Sequence, residues 1–224
     1  SKIERGRIQS FPFNNWQNEF LLAQKNNFRL IEWTIDSFKI DKNPILTSKG
    51  INKIQYITKK TGVKIDSITC DFFMENPFYK DKKFKLNSLN YLKKILTSAK
   101  ILKIKYIVLP LVDLSSIKKN QEKKKLIKGL KALNKLIPNK SKILFETDFN
   151  PTKNLEFIKH FDLRKFGINY DTGNSAHLGN NVKSEMKTFF KYIDNIHIKD
   201  RKKNRTTVNL GKGDFDFKFF FKFI

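Results

Sequence analysis

The sequence predicts a parallel α/β barrel, and three observations carry that expectation. Short β-rich apolar runs alternate with amphipathic helical stretches along the whole chain, an order that right-handed crossovers turn into a parallel sheet. Polar residues recur where the runs end, at Asp36, Asp71, Asp113, Glu146, Asp148, Asp171, His197 and Asp200. Barrels build their sites from several strand ends, whereas an open doubly wound sheet gathers them at one switch point. No Gly-x-Gly-x-x-Gly follows any run, which also favours the barrel over the open sheet.

Taken in order, residues 15–27 read as a helix and 29–36 as the first strand, followed by a helix over 50–62 and a strand over 64–72. The next helix, over 86–103, has the clearest period. Leu86, Leu89, Leu92, Leu96, Ala99 and Leu102 recur at three- and four-residue steps, with Lys93, Lys94, Lys100 and Lys103 between them. A strand over 106–113 precedes a helix over 120–137, in which Leu126, Leu130, Leu133 and Ile137 repeat the pattern before the stop at Pro138-Asn139. Strands over 142–148, 166–171 and 194–199 alternate with helices over 152–161 and 182–192. Residues 202–217, with Thr206-Thr207 and Gly211-Lys212-Gly213-Asp214, read as a long loop of the kind that tends to carry function. The aromatic stretch 215–224 reads as a helix. A complete (β/α)8 barrel has eight strands over about 250 residues. Six strands in 224 residues therefore predict one domain, 1–224, that is an incomplete barrel.

Composition narrows the class. No run reaches the roughly 18 apolar residues of a membrane helix, and Ser1 opens no signal peptide. Cys70 is the only cysteine, so no intrachain disulfide forms. A cytoplasmic protein is expected. The formal charge of +25 raises the question of nucleic acid. Yet only six of the 46 basic residues are arginine, the side chain whose fork reads bases and phosphates, and the lysines are spread over nearly every helix. Solvated faces explain them, and nucleic acid is not the expected partner.

Three strand-end residues have the chemistry of a metal site: Glu146, Asp171 and His197. Neighbouring parallel strands lie about 4.8 Å apart, so groups on three successive strands can converge on one ion. Two carboxylates and an imidazole suit Mn²⁺, Co²⁺, Zn²⁺ or Mg²⁺. The competing reading is that polar strand ends satisfy loop backbone groups. His177 lies in a loop at the same end and is a candidate substrate contact, whereas His160 is expected on a surface helix face and Cys70 in the core. No nucleophile–base pair, phosphate-binding Walker loop or Cys-x-x-Cys is present.

At these strands the sequence resembles the xylose-isomerase-like TIM barrel superfamily, above all sugar-phosphate isomerases and epimerases of the L-ribulose-5-phosphate 3-epimerase kind. Gly6-Arg7-Ile8-Gln9-Ser10-Phe11-Pro12 resembles the loop after the family's first strand, and Leu30-Ile31-Glu32-Trp33 its second strand. The specific motifs are Ile143-Leu144-Phe145-Glu146, Asp171-Thr172-Gly173-Asn174-Ser175-Ala176, His197-Ile198-Lys199-Asp200-Arg201 and Leu210-Gly211-Lys212-Gly213. The resemblance implies that the chain holds strands two to seven, with strands one and eight missing. It implies that Glu146 is both metal ligand and proton carrier, and that Asp171 and His197 are further ligands. A fourth ligand, a glutamate on strand eight, would lie beyond the chain and leave this fragment inactive alone. Asn174, His177, Lys199 and Arg201 become candidate substrate contacts, with Lys199, Arg201 and Lys212 able to hold a phosphate. The implied ligand is a small sugar or sugar phosphate, with no membrane and room for a homo-oligomer at full length. Rival readings are a non-catalytic sugar-binding barrel, a lyase like the inosose dehydratases, and a DNA repair enzyme like endonuclease IV. The last requires more histidines than the three present, at 160, 177 and 197.

Overall fold

A computed structural model describes residues 10–224, so residues 6–9 of the expected first loop lie outside the described residues. Six strands, β1 (Leu30–Thr34), β2 (Lys64–Thr69), β3 (Tyr106–Leu111), β4 (Lys142–Thr147), β5 (Phe166–Asp171) and β6 (Ile193–His197), form one parallel sheet in sequence order. The sheet is curled as a partial barrel: Glu32 on one edge strand and His197 on the other approach to 2.9 Å.

Helices cover the outside. The larger ones are α1 (Trp16–Lys25), α2 (Ser48–Thr61), α4 (Lys82–Leu102), α5 (Asn120–Ala132), α6 (Pro151–Ile158) and α8 (Val182–Phe189), with the short α3 (Phe72–Glu75) following β2. Each boundary has a local cause. Thr47 Oγ1 accepts from the Gly50 amide at the start of α2, and Gly62 ends that helix in the left-handed region at φ 73°. Asn150 and Asn181 cap α6 and α8 in the same way, with Pro151 at the first position of α6. The expected helix over 120–137 is instead α5 followed by a 3-10 turn at Asn134–Leu136.

The core lies between sheet and helices. Trp33, Ile68, Leu109, Phe145 and Ile168 face outward from the strands into one apolar cluster with the helices. Tyr91, Leu92, Ile95, Leu96 and Ala99 supply the buried stripe of α4. Leu86 departs from the expected stripe. It is 74% exposed, whereas Ser88, two residues on, is buried. Leu92 is fully enclosed, so Leu92→Ala should lower unfolding free energy by about 2–5 kcal/mol in denaturant titrations. Leu86→Ala should stay within about 0.5 kcal/mol.

Two register steps decide what faces the barrel interior. Ile31 pairs with Ile65 but Glu32 with Ser67, and Ile168 pairs with Ile193 but Asn169 with Asn195. The extra residues, Asp66 and Asp194, sit where each ladder slips by one, and such a slip moves every later side chain to the other face. Ser67 therefore stands beside Glu32, and His197 beside Asp171.

Candidate metal centre

Asp171 and His197 end their strands and Glu146 is the last residue but one of its strand, all on the same rim of the sheet. Each offers a ligand-type atom, and these atoms lie within 4.8 Å of one another. His197 Nδ1 is 3.2 Å from Glu146 Oε2 and 3.9 Å from Asp171 Oδ2. Two amides hold the glutamate: Asn174 Nδ2 donates to Oε1 at 2.8 Å and Asn169 Nδ2 to Oε2 at 2.7 Å. Asn169 is in turn held by Asn195 Nδ2, which donates to its Oδ1 at 2.8 Å.

Asp171 has two tasks. Its Oδ1 accepts from the Asn174 amide at 2.9 Å and so caps a short helix, α7 (Thr172–Leu178). Its Oδ2 faces the site. Lys199 Nζ stands 3.0 Å from Oδ2, an ion pair lacking hydrogen-bond alignment. Gly173 makes this closeness possible, since a Cβ there would fall 2.8 Å from Lys199 Cβ.

The charges are strongly coupled through burial. Burial opposes a charged His197, yet the carboxylates of Glu146 and Glu32 prevail and push its pKa up to about 10. Burial would raise Glu146, but the His197 contact outweighs it and holds the carboxyl below its ordinary range. Asp171 moves the other way, raised by burial and then by the Glu146 charge, with Lys199 opposing. Asp71, nearby, is pushed up to about 6 by burial and by Glu146.

A cavity of about 150 Å³ opens above these groups. Asn174, Lys199 and Arg201, three of the expected substrate contacts, line it together with Glu146 and His197. Arg201 reaches in with its guanidinium held by the Arg205 carbonyl at 3.1 Å and by Asn174 Oδ1 at 3.4 Å. His177 sits on α7 rather than in a loop. Its ring meets the Arg205 carbonyl at 3.3 Å, outside the cavity lining. Lys212 is exposed and also outside the lining, His160 is exposed, and Cys70 is buried in the core.

Residues 20–224 match the family described as Xylose isomerase-like TIM barrel. The chain belongs to this family. No curated protein matches it significantly. Among solved structures, it is similar to a xylose isomerase domain protein from Planctomyces limnophilus, at 17% identity and TM-score 0.75 over 91% of this chain and 80% of that one. It is similar to the IolI protein with a bound zinc atom, at 20% identity and TM-score 0.73 over 96% and 79%. A third is 3-keto-D-glucoside 4-epimerase, YcjR, from E. coli, at 16% identity and TM-score 0.72 over 97% and 84%. At these identities the likeness is one of fold, that of the xylose isomerase-like barrel.

Within that barrel, the chemistry of the site fits a divalent ion. Asp171 Oδ2 is buried with only the Lys199 ion pair facing it and no aligned hydrogen bond, and leaving such an atom unsatisfied costs about 1–3 kcal/mol, more for a charge. An ion between Glu146, Asp171 and His197 would take that carboxylate oxygen as a ligand. Among the described residues, these three form the one group of this kind.

Three residues near the site were not singled out from the sequence: Asn169, Glu32 and the cavity-lining Asp71 as a member of the site. Asn169 sits two before Asp171, the spacing that returns a strand to the same face, and that period was the available signal. Two other strand-end acids have the structural role. Asp36 accepts from the amides of Phe11 and Phe38 at 3.1 Å. Asp200, on β7 (Asp200–Arg201) of a small antiparallel pair with β8 (Thr207–Val208), accepts from the amides of Gly211, Gly213 and Phe215. It folds the expected long loop back over the cavity. Asp200→Ala would strand three amides, and protease cleavage within residues 202–213 should rise at least tenfold while α4 and the sheet stay protected.

Proposed function

We propose that this chain is the core of a divalent-metal-dependent sugar or sugar-phosphate isomerase or epimerase that moves a proton by way of an enediolate. The convergence of Glu146, Asp171 and His197 beneath a polar cavity carries the reading. A bound Mn²⁺, Co²⁺, Zn²⁺ or Mg²⁺ would supply Lewis acidity that lowers the energy of the enediolate. The remaining chemistry belongs to side chains. Glu146 takes the proton from a substrate C–H beside the carbonyl and returns it. The Asn169 and Asn174 amides fix its carboxylate and stabilise its charged form. Lys199 and Arg201 stand at the cavity wall, where they hold substrate hydroxyls or a phosphate. Return of the proton to the opposite face of the same carbon gives an epimer, and return to the neighbouring carbon gives an isomer. Two of the structural neighbours agree with this chemistry in what they are, a 3-keto-glucoside 4-epimerase and a zinc-binding protein.

The test is solvent exchange. Full-length protein loaded with each of the four ions in D₂O should place deuterium at a substrate C–H while interconverting ketose epimers or aldose–ketose pairs. Metal binding without exchange in any free or phosphorylated pentose, hexose or keto-glucoside would overturn the reading and leave a sugar-binding barrel.

A further inference from the structure

His197 meets carboxylates on both sides of its ring. Nδ1 faces Glu146 Oε2 at 3.2 Å and Asp171 Oδ2 at 3.9 Å, while Nε2 faces Glu32 Oε1 at 2.9 Å. Glu32 is no ligand of the cluster formed by Glu146, Asp171 and His197, and it comes from β1, the opposite edge of the sheet. It is braced there: Ser67 Oγ, its neighbour across the ladder, donates to Glu32 Oε2 at 2.7 Å. The register step at Asp66 is what puts Ser67 and Glu32 on the interior face together.

A ligating imidazole must be neutral, so one nitrogen carries the proton and the other the lone pair. The partner of the remote nitrogen decides which is which, and it fixes the ring's orientation. We propose that Glu32 is a positioning residue of the metal centre. Its carboxylate accepts a hydrogen bond from the Nε2–H of His197, which sets the tautomer whose Nδ1 lone pair points toward Glu146, Asp171 and the Asn169 amide 3.1 Å away, and ties the two sheet edges together through one ring. The 2.9 Å approach lacks hydrogen-bond alignment, and Nε2 is otherwise without a partner among the described residues. The inference rests on the metal-centre reading above.

The experiment uses zinc alone, with no substrate, so it separates the two. ¹⁵N-histidine spectra of the zinc-loaded chain, with His197 assigned through a His197→Gln variant, should show a protonated Nε2 and a metal-shifted Nδ1. Chelator competition should then show zinc affinity falling about 10–100-fold in Glu32→Ala. In Ser67→Ala, which keeps the carboxylate and removes only its brace, the fall should be a few-fold. A zinc-shifted Nε2 in the wild-type chain overturns the inference outright, whether or not any variant folds. So does a Glu32→Ala affinity within twofold of wild type. No zinc binding by the wild-type chain would instead remove the metal centre itself.

Discussion

Glu146→Gln in the metal-loaded, full-length protein is expected to lose solvent exchange and turnover together, each by about 10²–10⁴-fold. The two fall together because one carboxylate oxygen pair serves both purposes. Glutamine keeps the shape and one acceptor oxygen but cannot take a proton, and it removes the negative charge that His197 and Lys199 face. Its amide would also point N–H groups at Asn169 or Asn174, whose own amides now donate to Glu146. Asn174→Ala should be milder, about 10–100-fold, since it deletes the hydrogen bond to the Glu146 carboxylate, worth about 1.5–3 kcal/mol, and a longer 3.4 Å contact from Arg201. The loss in Asn174→Ala should appear in kcat more than in KM if the amide's work is to hold the proton carrier. Nucleic-acid binding through scattered lysines would behave differently, falling steeply with salt and ignoring Glu146→Gln. Exchange in Glu146→Gln within tenfold of wild type would sink its role as proton carrier.

The sequence carried the strands well and the turns poorly. All six expected runs are strands in the expected order; the central β3, β4 and β5 are buried on both faces, which gives them their continuous runs. The α4 stripe was visible for the opposite reason: one wet face leaves lysines at fixed intervals. The short helices α3 and α7 were not visible, since each starts directly from a strand end and has too few residues to show a period. At the site, the strand-end acids could not be sorted from the sequence. Asp200 and Glu146 both stand at strand ends expected from the sequence, yet one serves three loop amides and the other faces a histidine. Which occurs depends on where the loop 11 to 15 residues further along folds back. Glu32 was hidden by the ladder slip at Asp66, because strict alternation along β2 gives no sign of where the register breaks.

Metal binding to the chain is expected to tighten about tenfold per pH unit from pH 6.5 to near 10. His197 holds a proton there, with a pKa pushed up to about 10 by Glu146 and Glu32 against the pull of burial. A ligating imidazole must give that proton up, so each binding event below pH 10 releases it. Calorimetry in buffers of different ionisation enthalpy should count about one proton released per ion. The stability of the ion-free chain should run the other way. An unfolded histidine titrates near 6.5, so the stabilisation from the His197 imidazolium is fully present below about pH 6.5 and lost as pH rises toward 10. Asp171, raised in the folded chain, adds to the same trend, while Glu146, lowered, contributes stability above the unfolded carboxyl range and loses it only in acid. With metal the decline is offset, since bound ion stabilises by RT ln(1 + [M]/Kd) and Kd falls with pH. The ion-free midpoint temperature should therefore decline from pH 6.5 to 9 while the increment produced by a fixed zinc concentration grows. His197→Gln should flatten both slopes, because it removes the titrating group and one ligand at once. A zinc increment that is constant over this range, with no proton release, would mean that the ion binds elsewhere on the chain.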